Sequence, residues 1–218
     1  MQLDDYIIND VTPLSTSDSV TKAQSIFKQM TYSHIPVLEG DIFIGCISET
    51  DSHCFQGDET LEEVKYSMTA FHVNENTHWL EILKSFAQHQ SNIMPVLDTD
   101  NAYVGYYELT DIMEFFNEAP FLNEPGNVIV ITKGSTDYSF SEIAQIVESN
   151  DAKIYGCFIS GHRDHLTEIT VKVNSTNLSA VLQTLRRYSY EILTADEDDF
   201  YLDSLRERSD YLDKYLNI

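Results

Sequence analysis

Arginine is missing from the first 126 residues of this 218-residue chain. That stretch sets four lysines (Lys22, Lys28, Lys65 and Lys84) against 21 acidic side chains, and the whole chain carries a formal charge of −23. Gripping nucleic acid or an anionic membrane surface takes a basic stripe, so both partner classes are excluded. Cysteine is scarce too: Cys46, Cys54 and Cys157 are odd in number and show no C-x-x-C spacing. This argues against a disulfide framework and for free thiols in a reducing compartment. No apolar run approaches the roughly 20 residues that cross a bilayer, and the opening MQLDDYIIND lacks the basic and apolar regions of a leader. A cytoplasmic location is the expectation.

Catalytic signatures are also absent. There is no phosphate loop, no G-x-G-x-x-G after a strand, no G-x-S-x-G and no H-E-x-x-H. His162-Arg163-Asp164-His165 has side chains that suit zinc, but it falls in an expected hairpin turn, where polar residues need no further reason. His53 and Cys54 are adjacent, and adjacent side chains on a helix do not face each other. With no nucleophile, base and oxyanion donors in one pattern, the expectation is a protein that is not an enzyme.

What the sequence does contain is a repeat. GCISETD at 45–51 and GYYELTD at 105–111 share a glycine and a Thr-Asp pair sixty positions apart. Residues 11–51 and 69–111 align further, Pro36 with Pro95 and Val37 with Val96, and one inserted residue brings Gly45 onto Gly105 and Asp51 onto Asp111. In the first copy Val20, Ala23, Ile26, Phe27 and Met30 make an apolar stripe at helical spacing over about Asp18 to Thr31, as do Trp79, Ile82, Leu83 and Phe86 in the second. A short strand through the proline, a polar turn, a second strand and a helix opening at Thr-Asp follow in each. The unit is strand, helix, strand, strand, helix, and two such units are expected to pack face to face. Between them Thr60-x-x-Glu63 has capping-box spacing and predicts a helix to about Met68.

The second half reads differently. The segment 118–127 carries two prolines and a glycine with no periodicity and reads as a linker. NVIVIT then begins the order strand, helix, strand, strand, helix, strand, which closes a four-stranded antiparallel sheet with both helices on one face. Tyr201, Leu202, Leu205, Tyr211, Leu212, Tyr215 and Leu216 predict an amphipathic C-terminal helix over 200–218, docked on its own protein or on a sister subunit.

The doubled P-V and G-to-D spacings resemble a tandem pair of CBS domains, the module named after cystathionine beta-synthase. The resemblance covers about residues 1–118, with repeats of about 1–56 and 57–118. After a linker at 119–126, residues 127–195 resemble an ACT domain in element order, and 196–218 form an acidic segment and helix. The architecture is similar to bacterial regulatory proteins of the acetoin-utilisation B type. The fold implied is α+β: tandem CBS repeats, a ferredoxin-like βαββαβ ACT-like domain and a C-terminal amphipathic helix. The function implied is that of a non-enzymatic regulatory protein or sensor, with AMP, ADP, ATP, NAD or S-adenosylmethionine as the regulatory ligand in the cleft of the pair. Carried over to this chain, Asp51 would hold the ribose hydroxyls, Ser48 would bond ribose or phosphate, and the backbone around Thr12 and Ile35 would frame the adenine. Asp111 matches the ribose position in the second copy. There Glu108 replaces the hydroxyl of Ser48, and a carboxylate repels phosphate, so the first cleft is favoured over the second. The alternative is a ligand-free dimeric scaffold with degenerate clefts. In the ACT-like half Tyr138 stands where that family often has a glycine, which favours sheet pairing in a homodimer, with a further protein partner, over amino-acid binding.

Overall fold

The computed structural model describes residues 3–174 and 177–194. The chain divides into two compact units between Phe116 and Asn117. The expected C-terminal helix over 200–218 lies outside the described residues.

The first unit is built from two copies of one pattern. The first runs β1 (Leu14–Ser15), α1 (Val20–Gln29), β2 (His34–Glu39), β3 (Ile42–Ser48) and α2 (Glu49–Ser52). The second runs β4 (Val73–Asn74), α3 (Trp79–His89), β5 (Ile93–Leu97), β6 (Tyr103–Glu108) and α4 (Leu109–Asn117). Helix α1 starts where the Ser19 side chain accepts the amide of Lys22, and it buries Val20, Ala23 and Phe27. Each copy makes a three-stranded sheet in sequence order, with the short first strand parallel to the second and the last two antiparallel.

Pro36 and Pro95 sit inside the middle strands, where a missing donor would ordinarily cost a ladder bond. The register removes the conflict. The parallel pairing begins one residue later in both copies, at Leu14–Val37 and Val73–Val96. On the other side the prolines face Cys46 and Tyr106, whose backbone groups are engaged elsewhere. Cys46 exchanges two backbone hydrogen bonds, 3.0 and 3.1 Å, with Thr69, and Tyr106 exchanges two, 2.9 and 3.0 Å, with Ile8. Thr69 leads into the second copy and Ile8 into the first, so each sheet is extended by the segment that introduces the other copy.

These cross-braces account for the repeated glycine. A Cβ on Gly105 would stand 2.5 Å from the Ile8 carbonyl oxygen, and one on Gly45 would stand 3.2 Å from that of Thr69. A bulge precedes each glycine, at Ile44 and Val104, where the register with the middle strand shifts. Around the braces the cores interlock: Cys46 of β3 packs among Phe71, Val73, Ile82, Phe86 and Met94 of the second copy. Burial pushes the Cys46 thiol far above its ordinary range, so it behaves as an inert apolar side chain.

Two helical elements differ from expectation. Thr60 and Glu63 do exchange the bonds of a capping box: the Thr60 amide donates to the Glu63 carboxylate at 2.8 Å and the Glu63 amide donates to the Thr60 hydroxyl at 3.4 Å. The chain beyond nevertheless turns with three-residue spacing and forms only a 3₁₀ turn at Lys65–Ser67. Leu61 and Val64, three apart, are both fully buried, and the Leu61 and Glu62 amides bond the Asp18 and Thr16 carbonyls. Tertiary anchors at that spacing override the local helix signal. In the segment expected as a linker, Pro120–Asn123 form a helical turn, α5. Its Phe121 ring lies over Gly156, where no side chain would fit, and edge-on to Phe158, while Lys172 donates to the Leu122 carbonyl at 3.0 Å.

The second unit runs β7 (Asn127–Gly134), α6 (Phe140–Glu148), β8 (Lys153–Arg163), β9 (Leu166–Asn174), α7 (Leu178–Arg187) and β10 (Glu191–Thr194). Its strands lie in the order β10-β7-β9-β8, all antiparallel, the ferredoxin-like arrangement of the expected ACT-like fold. Alternate residues Ile129 and Ile131 of β7 and Ile169, Val171 and Val173 of β9 pack with Ile143, Ile146, Val181 and Leu185 of the helices. The fold is α+β throughout.

Gly105→Ala is expected to destabilise the first unit by about 1–3 kcal/mol, because the new methyl meets backbone that cannot rotate away. Urea unfolding followed at Trp79, the single tryptophan, reads that unit alone. An unchanged midpoint would mean that the brace is not needed.

Candidate functional site

Aligning the copies on their prolines makes Ser33 the counterpart of Asn92 and Tyr32 the counterpart of Ser91. The structure brings the first pair into direct contact. The amide and hydroxyl of Ser33 donate to Asn92 Oδ1 at 2.8 and 2.9 Å, and the Asn92 amide donates to Ser33 Oγ at 3.0 Å. Asn92 Nδ2 completes the set on the Thr31 carbonyl at 2.6 Å. The same two residues also hold the repeated motifs where each turns into helix: the Glu49 amide donates to the Ser33 carbonyl, and the Leu109 amide to the Asn92 carbonyl, both at 2.9 Å. A pseudo-twofold seam therefore joins the two motifs, with one of them on either side.

On the first side Ser48 caps α2. Its hydroxyl accepts the Asp51 amide at 3.0 Å and donates to the Asp51 carboxylate at 2.7 Å, so the two candidate polar residues satisfy one another. Ile35 is fully buried and offers only its backbone. Thr12 is exposed, two residues before Leu14, as Ile35 is two residues before Leu14's partner Val37. Next to this motif His34 pairs with Ser48 across β2 and β3. The Phe71 ring stacks on His89 with centroids 4.4 Å apart and meets His34 edge-on at 5.2 Å. Burial, opposed by the Asp51 carboxylate and aided by His89, holds the His34 imidazole below its ordinary range. Helix α2 is only four residues long, against nine for α4.

On the second side Glu108 is held from the opposite repeat. The Tyr32 hydroxyl donates to Glu108 Oε1 at 2.8 Å and lies 2.9 Å from the Tyr106 hydroxyl, which donates to Asp10. The Tyr32 and Tyr106 rings meet edge-on at 5.7 Å. Burial, and the carboxylates beside them, push both phenols above their ordinary range, so both stay protonated as donors. Thr110 Oγ1 leans on the other Glu108 oxygen at 3.3 Å. Over this network lies a cavity of about 380 Å³ lined by Met30, Thr31 and Tyr32 from one repeat and Asn92, Glu108 and Thr110 from the other. Asp111 sits one position further into α4. Burial, with Glu108 and Glu114 adding repulsion, raises its carboxyl above the usual range.

The site residues read from the sequence thus separate. Ser48 and Asp51 come together, Glu108 lines a cavity, and Asp111 stands apart from Ser48 in the other motif. Tyr32, Ser33, Asn92 and Asp10 were missed. One signal for Tyr32 was present: the copies differ at Tyr32 against Ser91 and again at Ser48 against Glu108, and the bulky pair turns out to be one contact across the seam. Of the turn expected at His162–His165, His162 and Arg163 instead end β8 and only Asp164 and His165 turn; all four are exposed, and no cluster of His, Cys, Asp or Glu that would hold a metal occurs among the described residues. No described helix is long and apolar enough to cross a membrane.

Residues 3–51 and 61–118 match the family model of the CBS domain. The first unit is a tandem pair of CBS domains. The chain is similar in structure to a CBS domain pair/ACT domain protein of Thermotoga maritima, with 22% identity, a TM-score of 0.49 and coverage of 55% of this chain and 98% of that one. It is similar also to the CBS domains of a transcriptional regulator from Streptococcus pneumoniae, with 17% identity, a TM-score of 0.47 and coverage of 52% and 98%. A third similar structure is CBSX2 in complex with AMP, with 16% identity, a TM-score of 0.43 and coverage of 53% and 95%. Within the CBS pair the interval between the two family matches, residues 52–60, begins at the last residue of the short α2.

Two outcomes follow from the electrostatics. Tyr32→Phe is expected to cost about 1–2 kcal/mol in urea unfolding, because Glu108 loses its cross-repeat donor. The fold disfavours ionised Asp111, a penalty fully present above its raised folded pKa and gone below the unfolded value of 3.8. Asp111→Asn should therefore raise the melting temperature at pH 7, with the gain shrinking as pH falls toward 4. A lower melting temperature at pH 7 would contradict that sign.

Proposed function

We propose that the protein is a non-enzymatic, cytosolic regulatory module whose CBS pair binds a small adenine-containing ligand at the seam between its repeats. The observation that carries this reading is the cavity over Tyr32 and Glu108, because residues of both repeats line it. A ligand there touches two bodies at once and binds one relative arrangement better than another. Such a differential affinity is what a population shift requires. The second unit, with its open four-stranded sheet, is the element proposed to pass the shift on, either to a second copy of the chain in a homodimer or to a protein partner. Asp51 is proposed to serve a ribose in the first cleft, with Ser48 beside it and the Thr12 and Ile35 backbone framing the base; Asp111 is its counterpart in the second.

A second reading, a ligand-free dimeric scaffold, draws on one specific feature. Ser48 and Asp51 already satisfy each other at 2.7 Å, so the first motif is complete as a helix cap without any ligand. Thermal unfolding of the full chain against AMP, ADP, ATP, NAD, S-adenosylmethionine and adenosine separates the two. Under the sensor reading, one compound at 100 times its dissociation constant adds about 2.7 kcal/mol of stability. A flat response across the panel, with a dimer in sedimentation, would leave the scaffold.

A further inference from the structure

We infer that the cavity beside Glu108 selects ligands by charge: among adenine compounds it takes a nucleoside that is neutral or cationic beyond the base and rejects nucleotides. The inference rests on the ligand-sensing reading above and adds the class of ligand.

A phosphate needs donors, cationic ones above all, and most of this cavity's side-chain donors are already engaged. The Tyr32 hydroxyl proton goes to Glu108. The Thr110 hydroxyl leans on the same carboxylate. Asn92 spends Nδ2 on the Thr31 carbonyl and Oδ1 on Ser33. Gln29, on the rim, adds a neutral amide, and the lining holds no lysine, arginine or histidine. What remains for a ligand is the neutral Gln29 amide and Thr31 hydroxyl and one charged group, the Glu108 carboxylate, which accepts, beside the apolar surface of Met30 and Leu109.

The backbone would ordinarily argue the other way. A nine-residue helix, α4, begins at Leu109, and a helix N-terminus of that length attracts anions. Glu108 stands immediately before it and is itself the anion at that end. Asp111 and Glu114 continue the negative charge along the helix. A phosphate within about 4 Å of Glu108 loses a factor of about five in affinity per charge even with full aqueous screening, and more in a cleft. A ribose hydroxyl, an ammonium or a sulfonium meets no such repulsion, and the first two can donate to Glu108. The sequence difference between Ser48 and Glu108 then makes the two clefts differ in the charge they accept.

The test is titration calorimetry of the full chain with adenosine, S-adenosylmethionine, AMP and ATP, with backbone amide NMR to locate each ligand. Adenosine and S-adenosylmethionine are expected to move the resonances of Tyr32 and Thr110 and to bind at least about tenfold more tightly there than AMP. Glu108→Gln should bring AMP within about threefold of adenosine. Glu108→Ser, which installs the residue of the first copy, should do the same if the glutamine variant folds poorly. AMP shifts confined to Ser48–Ser52, with adenosine at Tyr32 and Thr110, support the inference. AMP binding at Tyr32 and Thr110 as tightly as adenosine in the unaltered protein would overturn the charge rule while leaving a ligand-binding cleft. If no compound moves the Tyr32 and Thr110 resonances, the inference fails; if none moves those of Ser48–Ser52 either, the ligand reading fails with it.

Discussion

Two pairs of backbone hydrogen bonds, Cys46 with Thr69 and Tyr106 with Ile8, hold the CBS pair together. Each pair lets the segment that introduces one repeat complete the sheet of the other, so neither repeat is a finished sheet alone. The braces fix the rest of the motif. They favour glycine at both 45 and 105: at 105 a side chain would strike the Ile8 carbonyl, and at 45 a positive φ adds to a tight approach to the Thr69 carbonyl. They also leave Pro36 and Pro95 opposite residues whose donors and acceptors are already taken, which is why a proline is tolerated inside a middle strand. A pattern that looks like a list of preferred residues is therefore one geometric constraint expressed at several positions.

The seam of Ser33 and Asn92 does for the motifs what the braces do for the sheets. Each residue holds the first amide of the helix that opens within a motif, and the two residues hold one another. Any change in how the repeats meet must therefore pass through both motif helices. This is a physical reason for a ligand at the seam to matter to the whole pair, and it locates the asymmetry. On one side α2 is a single turn capped by Ser48, while on the other Glu108 is tied to Tyr32 in front of a nine-residue helix.

Much of the fold was legible because it is written in local periodicity. The apolar stripes of α1 and α3, the paired short strands and the order of elements in the second unit all follow from spacings of two, three and four residues. Where local and distant signals disagreed, the distant one won. The Thr60–Glu63 capping box forms its bonds yet opens no α-helix, since Leu61 and Val64 are drawn into the core three residues apart. The stretch around Pro120 looked like a tether, and Phe121 found a place over Gly156 that only the folded sheet provides.

For the candidate site the division is sharper. The sequence by itself established that one unit was built twice, that Gly45 and Gly105 and Asp51 and Asp111 correspond, and that Ser48 and Glu108 do not. It could not say what Glu108 answers to, because its partner Tyr32 lies 76 residues away and belongs to the other repeat. Nor could it tell that Ser48 and Asp51 close on each other while a cavity opens over Glu108. Repetition and periodicity are properties of neighbours along the chain; which donor reaches which acceptor across a seam is decided only when packing brings the two repeats together.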